Sequence, residues 1–433
     1  SGWPFRRDEL LGHYERAQAI AGLGSIKWYD TSACRPFLEE AGRPPLDSEV
    51  LETRIVQTTP VFSFADLHRE FLAEHPNVTV LLGCHVLSLK SNEEMTRVVE
   101  VGAVRDGTTL SITAKRFVVA TGAVENARLL LASRPHLSAP SLNGSQLGSY
   151  FQEHWHYEFE TDLAHGSWFG RSPNLRLYEV GVGGREVALQ NYRTTVGDAR
   201  VYGHLVLSDR IKAAKGLPDL VLRVRPAFGG STSLRTLKDA AQQPRELLKA
   251  LGRPLAGAVR HPINHAEYAW SKLACRGRPT RSVKLIAHFE QLPDASNRVY
   301  LSETTDRFGQ PLAALKVELD EGQRRAHGIA LEIAANELGL DGRDLVEQME
   351  RKYAEGDFGF YFHHMGTTRM GDDPEVSVVD RDCRVHGIEN LFVAGASVFP
   401  TSGTAAPTLT IVALATRLAD HLTTLWRASA SDT

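Results

Sequence analysis

The chain has 433 residues, 42% hydrophobic and 23% charged, an ordinary balance for a folded globular protein with room for two domains. Its 49 basic residues against 52 acidic ones leave a net charge of −3, so nothing electrostatic favours nucleic acid or an anionic membrane. The four cysteines (Cys34, Cys84, Cys275, Cys383) lack metal-ligand spacing, no apolar run reaches membrane-spanning length and no leader-like segment is visible, which predicts free thiols, no metal site and a cytoplasmic location.

In chain order, Leu10, Leu11, Tyr14, Ala17 and Ile20 recur near helical spacing and predict a helix over 7–22. Residues 25–65 are Pro-rich and read as irregular. Leu67, Phe71 and Leu72 form the stripe of a predicted helix from Ser63 to His75, and Val78–Leu82 reads as a strand. Val86–Leu89, Val98–Val104 and Leu110–Ile112 predict short antiparallel strands, with Asp106-Gly107 as a hairpin turn. Phe117–Ala120 is a buried strand running straight into a helix over Val124–Ala132. From about 150 to 315 the pattern turns β-rich, with strands at Val201–Leu207, Leu220–Val224 and Val283–His288 and a helical stretch over Leu234–Leu251. Helices follow at Glu321–Leu338 and Asp344–Tyr353, then a buried strand at Asn390–Ala394 and a helix from Pro407 to about Leu425. The Ser/Ala-rich tail after Trp426 reads as disordered. These α/β segments flanking a β-rich insertion predict a discontinuous α/β domain covered by a second domain.

Three stretches carry chemistry. Phe362-His363-His364-Met365-Gly366-Thr367-Thr368-Arg369-Met370-Gly371 offers two imidazoles whose ordinary pKa suits proton removal at neutral pH; a structural histidine in a tight turn is the competing reading. Val393 to Thr410 is a strand, a loop of small residues and a helix with Pro407 near its first position. Backbone amides and the helix dipole there favour negative charge, such as that of a reduced flavin, although small residues also serve close packing. Val118 to Leu131 is a strand, a Gly-containing turn and a helix, half of a dinucleotide-type unit or a generic one.

Taken together and in order, these segments resemble the glucose–methanol–choline (GMC) oxidoreductase family. Ala120-Thr121-Gly122-Ala123-Val124-Glu125-Asn126-Ala127-Arg128-Leu129-Leu130 resembles its second signature, and Gln146–His154 the segment that leaves the FAD domain. Glu290-Gln291-Leu292-Pro293 with Ser296–Val299 resembles the returning strand, His363–Gly371 the catalytic-histidine motif, and Asn390–Thr410 the flavin-proximal motif. The resemblance implies an α/β (α+β) fold: a discontinuous Rossmann-like FAD-binding domain with an inserted antiparallel-sheet substrate domain. It places the remainder of the FAD domain in 1–150, the substrate domain mainly in 151–355, and the C-terminal FAD part with the catalytic histidine in 356–433. It implies hydride transfer from a CH–OH carbon of a sugar, polyol or related alcohol to FAD. His363, three residues before Gly366, aligns with the base, and His364 is the second candidate. Val86, Thr121, Gly122, Glu125, Gly395, Ala396, Ala406, Pro407 and Thr408 are implied to contact the cofactor.

Two departures bear on function. The family's GxGxxG phosphate loop does not occur; Gly181-Val182-Gly183-Gly184 opens no helix. This implies a second polypeptide that completes the FAD site, hence a heteromer. The family's polar residue before the proline is here Ala406, which removes a hydrogen-bond donor over the flavin. Two alternative readings follow: a flavoenzyme of specialised metabolism acting on a bulkier substrate, with Trp155, His156, Trp168 and Phe169 as cavity candidates, and a non-catalytic scaffold descended from an oxidoreductase.

Overall fold

The computed structural model describes residues 2–24, 48–59, 63–137, 139–162, 179–182, 185–188, 194–196, 199–226 and 282–431. The predicted helix over 234–251, Cys34, Cys275, Trp168 and Phe169 lie outside them.

A short 3-10 turn (Arg7–Leu10) leads into α1 (Leu11–Ile20). Of its predicted apolar positions, Leu10 and Ala17 are buried while Leu11 and Ile20 stay exposed. A strand, β1 (Leu51–Thr58), lies inside the stretch read as irregular. Its side chains alternate, Leu51 and Ile55 inward and Glu52 and Arg54 between them, which is the period of a half-buried strand. Ser63 caps α2 (Phe64–Glu74) by accepting from the Ala65 amide. Val78–Leu82 is not a strand: no described ladder runs beside it, and Leu82 is 75% exposed.

The next three strands, β2 (Cys84–Ser91), β3 (Val98–Arg105) and β4 (Thr108–Ile112), form an antiparallel sheet. The predicted turn between the last two holds, because Asp106 (φ 49°) and Gly107 (φ 78°) both take the left-handed conformation that a two-residue hairpin requires. Then come β5 (Phe117–Val119) and α3 (Ala123–Ser133).

The larger sheet begins with β6 (His154–Asp162). It is followed by the hairpin β7 (Glu179–Val182) and β8 (Arg185–Ala188), then β9 (Thr194–Val196), β10 (Ala199–Leu207), α4 (Asp209–Lys215), β11 (Leu220–Pro226) and β12 (Ser282–Glu290). After the hairpin β13 (Arg298–Thr305) and β14 (Pro311–Lys316) come α5 (Glu321–Glu337) and α6 (Gly342–Glu355), capped by Asp320 and Asp341. The chain closes with β15 (Gly359–Phe360), β16 (Leu391–Val393) and α7 (Thr408–Ser431). The helix runs through the tail predicted to be disordered; Ala428, Ala430 and Ser431 extend it, and alanine is the best helix former.

Two cores result. The first gathers Leu89, Val98, Leu130, Phe392, Val393, Leu414 and Leu418 around β5 and β16, which pair in parallel, Phe117 opposite Leu391. The second lies between α5–α6 and one face of a seven-stranded antiparallel sheet, ordered β1-β10-β11-β12-β6-β15 with β9 on β10. Along β6, Trp155, Tyr157 and Phe159 point into this core; each fully buried apolar side chain contributes roughly 1.5–3 kcal/mol. Trp155 is therefore core rather than a wall of a substrate cavity. By alternation, His154, His156 and Glu158 face the other side, as does His288, which pairs with His156 across the ladder.

Candidate active site

The histidine motif is held by both cores. Gly359 pairs with His156 and Phe360 with Trp155, whereas Met365 pairs with Gln152. Five steps from Phe360 to Met365 therefore run beside three steps from Trp155 to Gln152, and the two extra residues form a bulge. Phe362 at its crest has φ 59° and is 80% exposed, a conformation that costs a bulky side chain energy and is tolerated mainly at functional sites.

Downstream, the motif is pinned to the first core. The Gly366, Thr368 and Met370 amides donate to the carbonyls of Ala396, Ser397 and Val398, and the Thr367 hydroxyl donates to the Ala123 carbonyl at 2.6 Å. Gly366 has φ 88°, and a Cβ there would collide with the Tyr150 backbone, so only glycine serves. The structure thus brings His363 and His364 onto one frame with Thr121–Gly122 and Gly395–Ala396.

Those two turns are joined by Asn126, a residue whose role the sequence did not reveal. Its fully buried side chain accepts from the amide and hydroxyl of Thr121 at 2.7 and 2.8 Å. It donates to the Ala394 carbonyl at 3.0 Å and the Ser397 hydroxyl at 2.8 Å. Asn126→Ala strands these groups in a buried site, where each unmatched group costs about 1–3 kcal/mol. We expect a loss of about 3 kcal/mol or more in urea unfolding; a loss below about 1 kcal/mol would show that water replaces the amide.

Around His363 the geometry is close. Glu153, buried, accepts through Oε1 from the amides of His154 (2.8 Å) and His363 (3.0 Å). Its Oε2 lies 3.5 Å from Nε2 of His364. Burial raises the Glu153 carboxyl above its ordinary range, against the pull of the two amides and His364. Nδ1 of His363 meets Nδ1 of His154 at 3.2 Å with the rings nearly perpendicular. Burial, and secondarily His364, lowers the His363 pKa below 6.5. Burial pushes His154 down to about 3, with His363 reinforcing the shift.

The flavin-proximal loop packs against the end of β12. The Gly403 amide donates to Glu290 Oε1 at 3.0 Å and the Ser402 hydroxyl to the Gln291 carbonyl at 3.2 Å. On its other side, Gly403, Ala405, Ala406 and Pro407 line a cavity of about 710 Å³ with Trp3 and Phe399. Trp3 donates through Nε1 to Thr401 Oγ1 at 3.1 Å. Ala406 and Pro407 lie in this cavity, which His363 does not line, and Thr408 opens α7 beside it. Glu125 is half-exposed and paired with Arg128 at 2.6 Å, and Val86 packs on the first core from β2. Among the described residues no cluster of ligating side chains could hold a metal, and no helix is long and apolar enough to cross a membrane.

Residues 293–415, which include the bulged histidine segment and the Gly395–Pro407 loop, match the family model described as GMC oxidoreductase. This segment is of the GMC oxidoreductase family. The chain is 32% identical over 191 residues to the fructose dehydrogenase large subunit of Gluconobacter japonicus, covering 42% of this chain and 31% of that one. It is 35% identical over 127 residues to paromamine 6'-oxidase of Streptomyces fradiae (29% and 23%). To the C-glycoside 3-oxidase of Microbacterium trichothecenolyticum it is 36% identical over 130 residues (30% and 24%). The matched stretches span between about a quarter and a third of the length of these relatives.

Proposed function

We propose that the chain supplies the base and the substrate-facing part of an FAD-dependent oxidoreductase that oxidises a CH–OH group, with His363 as the base. The observation that carries this is the His363 imidazole, seated on a strained bulge, anchored by Glu153 and His154, and kept neutral at pH 7 by burial. The relatives, a fructose dehydrogenase large subunit, a paromamine 6'-oxidase and a C-glycoside 3-oxidase, favour a sugar or polyol.

The residues present fit part of a flavin dinucleotide. At the ends of the parallel strands, Gly122 (φ 87°) has open space where a Cβ would stand, and Gly395 (φ 110°) meets nothing closer than 3.9 Å, so a flat group can approach the backbone there. Ala405, Ala406 and Pro407 would flank it at the amino end of α7, where the helix dipole favours negative charge. When bound, FAD supplies the hydride acceptor. This chain's residues do the rest: neutral His363 takes the hydroxyl proton, Glu153 fixes its backbone, and the turns joined by Asn126 hold the binding surface in register. The first core would serve the cofactor and the seven-stranded sheet the substrate.

A polypeptide carrying a GxGxxG segment is the proposed partner. In support, β5 is hydrogen-bonded to a strand on one side only among the described residues, and its Val118 is 45% exposed.

The test uses the full-length protein. Anaerobic addition of sugars and polyols should bleach the visible flavin band; a protein that never bleaches with any of them refutes the reading. Ala406→Asn should raise kcat/KM on the bleaching substrate about tenfold or more, since one well-aimed donor is worth roughly 10²–10³ in rate. Unchanged kinetics would show that the reaction makes no use of a donor at this position.

A further inference from the structure

Two neutral imidazoles that meet Nδ1 to Nδ1 can share only one proton, so one must donate and the other accept. A base acting through Nε2 must carry its own proton on Nδ1. At the 3.2 Å contact this leaves one productive arrangement: His363 Nδ1–H donates to His154 Nδ1, and His154 keeps its proton on Nε2. In the reverse arrangement His154 donates, His363 is protonated on Nε2, and nothing basic faces the substrate. We propose that His154 is a positioning residue that selects the Nδ1–H tautomer of His363 and so leaves Nε2 as the proton acceptor. This rests on the reading of His363 as the base.

Several independent features make His154 suited to this. It is 1% exposed, so it sits behind His363 and does not compete for substrate. Its backbone and that of His363 are clamped by the same carboxylate oxygen of Glu153, which fixes their separation without touching either ring. The near-perpendicular rings, at 85°, aim one nitrogen lone pair at the other ring's edge. His154 Nε2 is buried and finds no hydrogen-bond partner among the described residues; the Gly403 carbonyl favours a proton on this ring without completing a bond. The titratable groups beside His154 are His363 on the bulge, Glu153 just before its strand, and His288 and Glu290 on β12, the last directly opposite it in the ladder, while His364 reaches Glu153. Among the described residues none of these other than His363 meets its Nδ1, which leaves that position to His363.

The experiment compares His154→Leu, which has no acceptor, with His154→Asn, whose amide oxygen can stand where Nδ1 stood. In the full-length flavoprotein, His154→Leu should lower kcat about 10²-fold with KM within about twofold, because a base in the wrong tautomer is lost to chemistry but not to binding. His154→Asn should recover most of that loss. Nitrogen-15 NMR of labelled histidine should show His363 protonated on Nδ1 in the parent protein. If Leu and Asn variants fall equally, or neither falls, or His363 in the parent is protonated on Nε2, the assignment of His154 is overturned. The NMR measurement needs no variant, so it stands even where the leucine protein does not fold. A His363→Ala variant that keeps full activity would instead remove the base reading itself; an inactive one beside an unaffected His154→Leu removes only the positioning role.

Discussion

Replacing His363 by alanine is expected to lower kcat/KM by about 10²–10⁴-fold, the range in which a positioned general base contributes. His364→Ala should cost far less, since His364 is half-exposed at the rim and touches Glu153 only at 3.5 Å. The acid limb of kcat/KM should turn below pH 6.5, because burial lowers the pKa of His363 and it stays neutral further into the acid range than a free imidazole. Steady-state kinetics with the sugar or polyol that bleaches the flavin measures all three. Equal losses in the two alanine variants, or an acid limb above pH 6.5, would move the base away from His363.

Acid should unfold this protein early. Burial holds His154 and His204 near a pKa of about 3, His288 near about 2 and His327 near about 4. In the unfolded chain these imidazoles take up protons near pH 6.5, roughly the free value. The unfolded state therefore binds more protons below that pH, and stability is full above 6.5 and falls as pH drops toward the folded values. At about 1.36 kcal/mol per unit, four such groups cost about 8 kcal/mol between pH 6.5 and 5. Burial raises Glu153 and Glu290, which act in the opposite sense: their contribution is present at low pH and lost as pH rises. Even if both offset fully, about 4 kcal/mol remains, a large share of a typical stability of roughly 5–15 kcal/mol. Urea midpoints should change little from pH 7.5 to about 6.5 and fall from there to 5; a flat series would show that these histidines are charged or solvated in the folded state.

The parts of the fold legible in the sequence were those set by local pattern. The Asp106-Gly107 turn, the strand–turn–helix at 117–133 and the two helices after 320 depend on neighbours a few residues away. What escaped depended on distant partners. β1 is a strand because β10 pairs with it from Leu207 to Arg200, and its alternation was masked by the Pro-rich stretch before it. Val78–Leu82 has strand composition but no described strand beside it, and composition alone forms no ladder. At the site, His363 and the Gly395–Pro407 loop could be singled out because their unusual residue types cluster. Glu153 and His154 were visible only as part of an exit segment: the contact that gives them meaning spans 209 residues from His154. Asn126 stands within the strand–turn–helix motif, yet only the folded turn reveals its four hydrogen bonds.

The bulge between Phe360 and Met365 has a consequence for recombining this protein with its relatives. One strand of the ladder carries the base, the other carries its imidazole neighbour and the shared carboxylate, and the two are far apart in sequence. A chimera with a crossover anywhere between them inherits the two strands from different parents, and a one-residue difference in bulge length would carry the imidazoles out of contact. Libraries that shuffle the sheet for new specificity should therefore treat residues 152–156 and 359–365 as a single inherited block, and draw their diversity from the strands beyond.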